Sequence, residues 1–155
     1  MIPDLDEITG ALPPGDHSAT LAEISKRFGV TRRRVWLLEG LYRAVHAFWE
    51  AGIEEIVIDG SFCTGKPDPG DIDGYWVEPD AEVYDRIDPY WIDFELILVP
   101  HLRKRKWRMW SEHGVEFFIH PEMQAQPGMD FPDFFRRDRN GKARGVIRVV
   151  REKRT

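Results

Sequence analysis

Ile58-Asp59-Gly60-Ser61-Phe62, followed by Asp71-Ile72-Asp73, decides how this chain is read. Ile53 to Ile58 is a short, β-branched run of strand character, and Gly60-Ser61 is a turn that ends it. Asp71 to Val77 reads as a second strand, reached through a loop that carries Pro67, Pro69 and Gly70. Side chains repeat every two residues along a strand, so Asp71 and Asp73 project to one face. Two carboxylates that close repel each other unless a cation lies between them. Magnesium or manganese is the expected cation, and a glycine turn beside it suggests a bound phosphate.

Three readings compete for this stretch. Gly60 to Lys66 matches the letters of a P-loop, G-x-x-x-x-G-K. Pro67 then stands where Ser or Thr should bind magnesium, and no helix follows to aim its amides at phosphate, which breaks that mechanism. A structural reading makes the aspartates local turn formers. The third is the nucleotidyltransferase signature: Gly-Ser, nine to thirteen residues, then Asp-x-Asp. Residues 62–70 supply nine. In this reading Gly60 and Ser61 approach the β- and γ-phosphates of an NTP, with Lys66 as a phosphate neighbour. Asp71 and Asp73 are metal ligands, and a third carboxylate from another strand completes the site. Glu116, on the run Val115 to Ile119, is the candidate, with Asp93 or Glu95 as substitutes.

Outward from this centre, residues 1–17 read as loop. Ser18 or Thr20 caps a helix over about 20–28, and Thr31 caps a longer one to about 51. Residues 85–113 divide between two patterns. We read them as a helix interrupted at Pro100 before a second, basic helix, with a strand over 92–99 as the alternative. A short helix at 131–137, a turn at Asn140-Gly141 and a strand over 145–150 complete the order. The expected fold is α+β, a mixed sheet flanked by helices, in one domain. Residues 1–52 form a helical scaffold, 53–150 the core and 151–155 a basic tail.

The 155 residues are enough for one sizeable core. No apolar run reaches a membrane span and no signal segment opens the chain, so a cytoplasmic protein is expected. The lone Cys63 excludes an internal disulfide and reads as a small loop residue. The net charge of -5 conceals an asymmetry. Residues 1–100 hold 8 Lys+Arg and 20 Asp+Glu, whereas residues 101–155 hold 14 and 7. The basic runs at 102–109 and 136–154 suit phosphates of a nucleotide or RNA. A rival signal lies at Leu21 to Val35, which has the letters of a helix-turn-helix with Arg32, Arg33 and Arg34 opening the second helix. His113 and His120 flank the Glu116 strand without metal-ligand spacing.

Taken together the chain resembles an uncharacterised family of small bacterial and phage proteins in the nucleotidyltransferase (DNA polymerase beta-like) superfamily. The matching pieces are Leu12 to Gly15, Ala19 to Leu21, Arg27-Phe28, Ile58 to Phe62 with Lys66 and Pro69, Asp71 to Asp73, Gly114 to Phe118, and Phe134 to Ile147. The resemblance implies a nucleotidyltransferase-like sheet that moves NMP to a hydroxyl of RNA, protein or a small molecule. It also places the two N-terminal helices in the scaffold. Relatives with this core include antibiotic-modifying enzymes and toxin–antitoxin components. A chain this small has no second domain for an acceptor, so a partner protein or homodimer is expected to supply one. An alternative is an inactive copy that serves as a binding or regulatory module. Two positions depart from the superfamily: glutamate at 116 where aspartate is usual, and Gly74 where a bulky apolar residue is usual.

Overall fold

A computed structural model describes residues 1–153. The chain runs β1 (Gly15–Thr20), α1 (Leu21–Phe28), α2 (Arg32–Glu50), β2 (Ile56–Asp59) and β3 (Ile72–Val77). It continues through α3 (Val83–Arg86), β4 (Leu96–Val99), β5 (Lys104–Trp107), α4 (Arg108–His113) and β6 (Val115–His120). Then come β7 (Gln124–Gln126), β8 (Met129–Asp130), α5 (Phe131–Phe135) and β9 (Gly145–Val150). The fold is α+β: a mixed five-stranded sheet in the order β1-β9-β2-β3-β6, flanked by helices. Strands β1 and β9 are parallel, as are β3 and β6, while β2 is antiparallel to both of its neighbours. Among the described residues no helix is long and apolar enough to cross a membrane.

Alternation along the strands explains the two layers. Ile56, Ile58, Ile72, Trp76, Phe117 and Ile147 bury one face of the sheet against Ile24, Leu41, Val45 and Phe48 of α1 and α2. The opposite face carries Val57, Tyr75 and Val146 under Phe131 and Phe135 of α5. Both long helices begin where the sequence places caps. The Thr20 hydroxyl accepts from the Glu23 amide at 3.1 Å while the Glu23 carboxylate accepts from the Thr20 amide at 3.2 Å. Thr31 caps α2 in the same way through the amide of Arg34.

Two expectations need correction. Residues 85–113 do not form a long helix broken at Pro100. They form α3, a 3₁₀ turn at Pro89–Ile92, the hairpin β4–β5 and only then α4. The apolar run Leu96 to Val99 becomes a strand because β5 pairs with it residue for residue. The N-terminal segment is also not all loop, since Gly15 to Thr20 pair in parallel with Gly145 to Val150. Of the basic tail, Arg151 pairs with Glu54 at 3.0 Å, and residues 154–155 lie outside the described residues.

Gly74 has a packing reason. A Cβ there would collide with the Val57 carbonyl oxygen and come within 2.7 Å of the Phe117 ring. Phe117 thus fills the space that a larger residue at 74 would take, and Gly74→Ala is expected to lower stability by about 2 kcal/mol. Thermal unfolding checks this, and an unchanged midpoint contradicts it.

Candidate functional site

The site forms where β2 ends and where β3 and β6 begin. Strand register sets Asp59 beside Asp73 and Asp73 beside Glu116, so three acids stand in a row across adjacent strands. Asp71 lies two residues before Asp73 on the same face. One carboxylate oxygen from each of Asp71, Asp73 and Glu116 lies within 4.8 Å of the others. The third acid expected from the sequence, Glu116, is therefore brought to the pair. Asp93 is drawn instead to Arg108, at 3.6 Å.

Burial and mutual repulsion both act on this cluster. Burial, then the charges of Asp71 and Glu116, push the Asp73 carboxyl up to about 8. Burial also raises Glu116, opposed by Lys106, whose Nζ lies 3.5 Å from Glu116 Oε1. The Trp110 indole donates to Asp71 Oδ2 at 3.1 Å, and Lys106 lies over that ring at 5.1 Å from its centroid. Lys106 thus offsets the charge of Glu116 alone, and Asp71 and Asp73 have no cation of their own among the described residues. Three converging hard oxygen donors short of positive charge fit a divalent cation of the magnesium or manganese type.

Gly60 approaches the cluster closely. Its φ of +88° favours glycine, and a Cβ there would lie 2.9 Å from Asp73 Oδ2. Ser61 opens a 3₁₀ turn, Ser61–Cys63, instead of the long helix that a P-loop requires. The loop after it is held by α2. Arg34 is 2 % exposed, and its guanidinium donates to the carbonyls of Phe62 at 2.7 Å, Thr64 at 2.7 Å and Lys66 at 2.6 Å. Arg33 donates to the Gly70 carbonyl at 2.6 Å. Two of the three arginines with helix-turn-helix spacing therefore hold the loop between Gly60 and Asp71. Lysine has no such fork, so Arg34→Lys should cost about 2 kcal/mol and expose the loop to protease. Wild-type melting and wild-type resistance to cleavage would contradict that role.

Gly60 and Asp73 also wall a cavity of about 430 Å³ whose other lining residues include Phe134, Arg137, Arg139 and Arg144. Lys66 is exposed and does not line that cavity. The three arginines belong to the basic run at 136–154 that the sequence assigns to phosphates, whereas Asp59 was legible only as a turn former. Asp59 is 4 % exposed, with Arg144 Nε 2.9 Å from its Oδ2. Arg144 Nε donates to the Phe135 carbonyl, so this contact is charge pairing and Oδ2 accepts no hydrogen bond. Burial pushes the Asp59 carboxyl up to about 7, against the pull of Arg144. The available signal was an acid closing an otherwise apolar strand. Cys63 is buried and its thiol is raised well above its usual range by that burial, which leaves it a structural residue. His113 lies against Tyr90 and Trp91, away from the carboxylates.

The class these features define is an α+β mixed-sheet protein with a half-buried acid cluster whose Asp73 also lines an arginine-rich cavity. The chain belongs to the family of unknown function DUF6932, whose family model matches residues 3–150. No curated protein and no solved structure matches it.

Proposed function

We propose that this protein is a metal-dependent nucleotidyltransferase of the DNA polymerase beta-like type, which moves NMP from an NTP to a hydroxyl acceptor. The observation that carries the reading is the convergence of Asp71, Asp73 and Glu116 to within 4.8 Å, beside the glycine turn at Gly60. A P-loop protein or a local turn motif has no need for the third acid, which comes from a strand more than 40 residues further on. A divalent cation bound by these carboxylates would orient the α-phosphate and offset charge on the leaving pyrophosphate.

The chain's own residues do the rest. Gly60, without a side chain, lets the phosphate groups come up to the backbone of the turn, with the Ser61 hydroxyl beside them. Arg137, Arg139 and Arg144 line the same cavity and offer forked donors to the phosphates. Phe134, 43 % exposed at the wall, offers a flat surface to the base. The acceptor oxygen bonds to the α-phosphorus as the bond to the pyrophosphate oxygen breaks. Glu116 is the carboxylate placed to take the acceptor's proton, once Lys106 gives up its contact.

One observation favours the alternative of an inactive binding module. Lys106 already neutralises Glu116, as a lysine would in a cluster that has stopped taking cations. Label transfer separates the two readings. The protein is incubated with each α-labelled NTP, magnesium or manganese, and bulk tRNA, cell extract or itself as acceptor. The enzyme reading expects label on one acceptor class from one preferred nucleotide. No label with any combination would favour the binding module and make its partner the next object of study.

A further inference from the structure

We propose that the β4–β5 hairpin is the landing surface for a single-stranded nucleic acid whose terminal hydroxyl is the acceptor. The acceptor role rests on the nucleotidyltransferase reading, whereas the binding surface does not. Five of the six residues from Arg103 to Arg108 are basic, and none is acidic. Arg108 is occupied by Asp93 and Lys106 by Glu116. Arg103, Lys104 and Arg105 are exposed and form no ion pair among the described residues. Unpaired positive charge along a two-stranded projection is suited to a run of phosphates.

The position of the hairpin gives that charge a purpose. Lys106 of β5 touches Glu116, and α4 follows β5 directly with Trp110 bonded to Asp71. A strand lying along β5 therefore has its end at the carboxylates. The arginine-lined cavity, by contrast, lies on the Gly60 and Asp73 side of the cluster and is of a size for a small ligand. The two basic regions thus divide between two substrates, the NTP in the cavity and a longer polyanion on the hairpin.

The apolar side chains select a single strand. Register pairs Leu98 with Arg105 and Leu96 with Trp107 across the hairpin, which puts each pair on one face. Leu96 is 50 % exposed and Leu98 58 % exposed. That face joins Leu96 and Leu98 to the single cation Arg105, with Lys104 and Lys106 on the opposite face. Unstacked bases can therefore lie on the leucines while their phosphates meet Arg105 and, at the hairpin's end, Arg103. A duplex keeps its bases stacked inside and offers the leucines nothing. In the transfer step the terminal ribose oxygen bonds to the α-phosphorus, pyrophosphate leaves, and the hydroxyl proton passes to Glu116.

Fluorescence anisotropy without NTP tests the surface apart from the chemistry. The full chain is titrated against a labelled RNA of about 12 nucleotides, the DNA of the same sequence and the corresponding duplex, at about 50 mM salt and above. Wild type is expected to bind the single strands more tightly than the duplex, with affinity falling as salt rises. Binding of either RNA or DNA meets the prediction, and the tighter one names the sugar. The triple variant R103E/K104E/R105E should lose at least about tenfold in affinity at an unchanged melting temperature. A second variant, L96S/L98S, keeps every charge and should weaken single strands while leaving the duplex as it was. Wild-type binding by the triple variant, a duplex bound as tightly as the single strands, or no binding at the lowest salt would overturn the proposal. Strand binding without label transfer would sink the enzyme reading alone. Transfer to a small acceptor without strand binding would sink the hairpin alone.

Discussion

Asparagine at both Asp71 and Asp73 is expected to reduce nucleotide transfer by about 10³-fold or more, without unfolding the protein. Asparagine is nearly isosteric, so the Trp110 contact and the packing around Gly60 have no steric reason to change. What disappears is two of the three negative charges that make the cluster a site for a divalent cation, and with them the stabilisation of charge on the reacting phosphates. The same substitution removes a repulsion. Burial, Asp71 and Glu116 all oppose ionisation of Asp73 in the folded protein. The metal-free variant should therefore melt higher than wild type at alkaline pH. Loss of transfer with equal or raised stability is the expected pair of results. Transfer persisting within about tenfold of wild type would show that the carboxylates do not carry the chemistry.

The second large effect is a fall in metal-free stability as pH rises. The Asp73 carboxyl moves from an ordinary 3.8 to about 8 on folding, and Asp59 to about 7. Between the ordinary and the raised values the unfolded chain has lost a proton that the folded chain keeps. Stability is thus fully present below the ordinary value and declines until the pH passes the raised ones. Glu116, also raised, adds to the decline. Asp16, held low by Arg136 and Arg148, acts oppositely, but its contribution is complete once the pH exceeds its ordinary value. From about pH 5 upward each of the raised groups should cost about 1.4 kcal/mol per pH unit until its raised value is passed, a net loss of several kcal/mol by about pH 9. Saturating magnesium or manganese should restore much of it, because a bound cation favours the ionised carboxylates. Urea unfolding at several pH values, with chelator and with metal, measures both. A metal-free protein equally stable across that range would contradict the description of the cluster.

The parts of this fold that were legible in the sequence are those set by local chemistry. The caps at Thr20 and Thr31, the β-branched run before Gly60 and the two-residue spacing of Asp71 and Asp73 each declare themselves within a few residues. Glu116 was legible because it is the one polar residue in the apolar run Val115 to Ile119, bounded by Gly114 and Pro121. The missed features depend on partners far away in the chain. Gly15 to Thr20 contain Asp16, His17 and Ser18, with no apolar alternation, and become a strand only because Gly145 to Val150 lie alongside. The hairpin turn is made by Arg103 at a φ of 52°, a conformation that glycine or asparagine would have announced. Asp59 and Arg144 are 85 positions apart, so no local pattern joins them. Arg33 and Arg34 carried an ambiguous signal, since the same letters serve a DNA-binding helix or a helix that holds a loop. Only the carbonyls at 62, 64, 66 and 70 tell the two apart.

In the proposed enzyme Asp71, Asp73 and Glu116 hold a divalent cation against a nucleotide. Crystals grown with manganese and a non-hydrolysable NTP analogue test it most directly, through the anomalous signal of the metal. A peak is expected within about 2.5 Å of oxygens from all three carboxylates, with the phosphates of the analogue between that peak and Gly60. Manganese absent from the three carboxylates while the analogue occupies the cavity, or an analogue bound elsewhere, would contradict it.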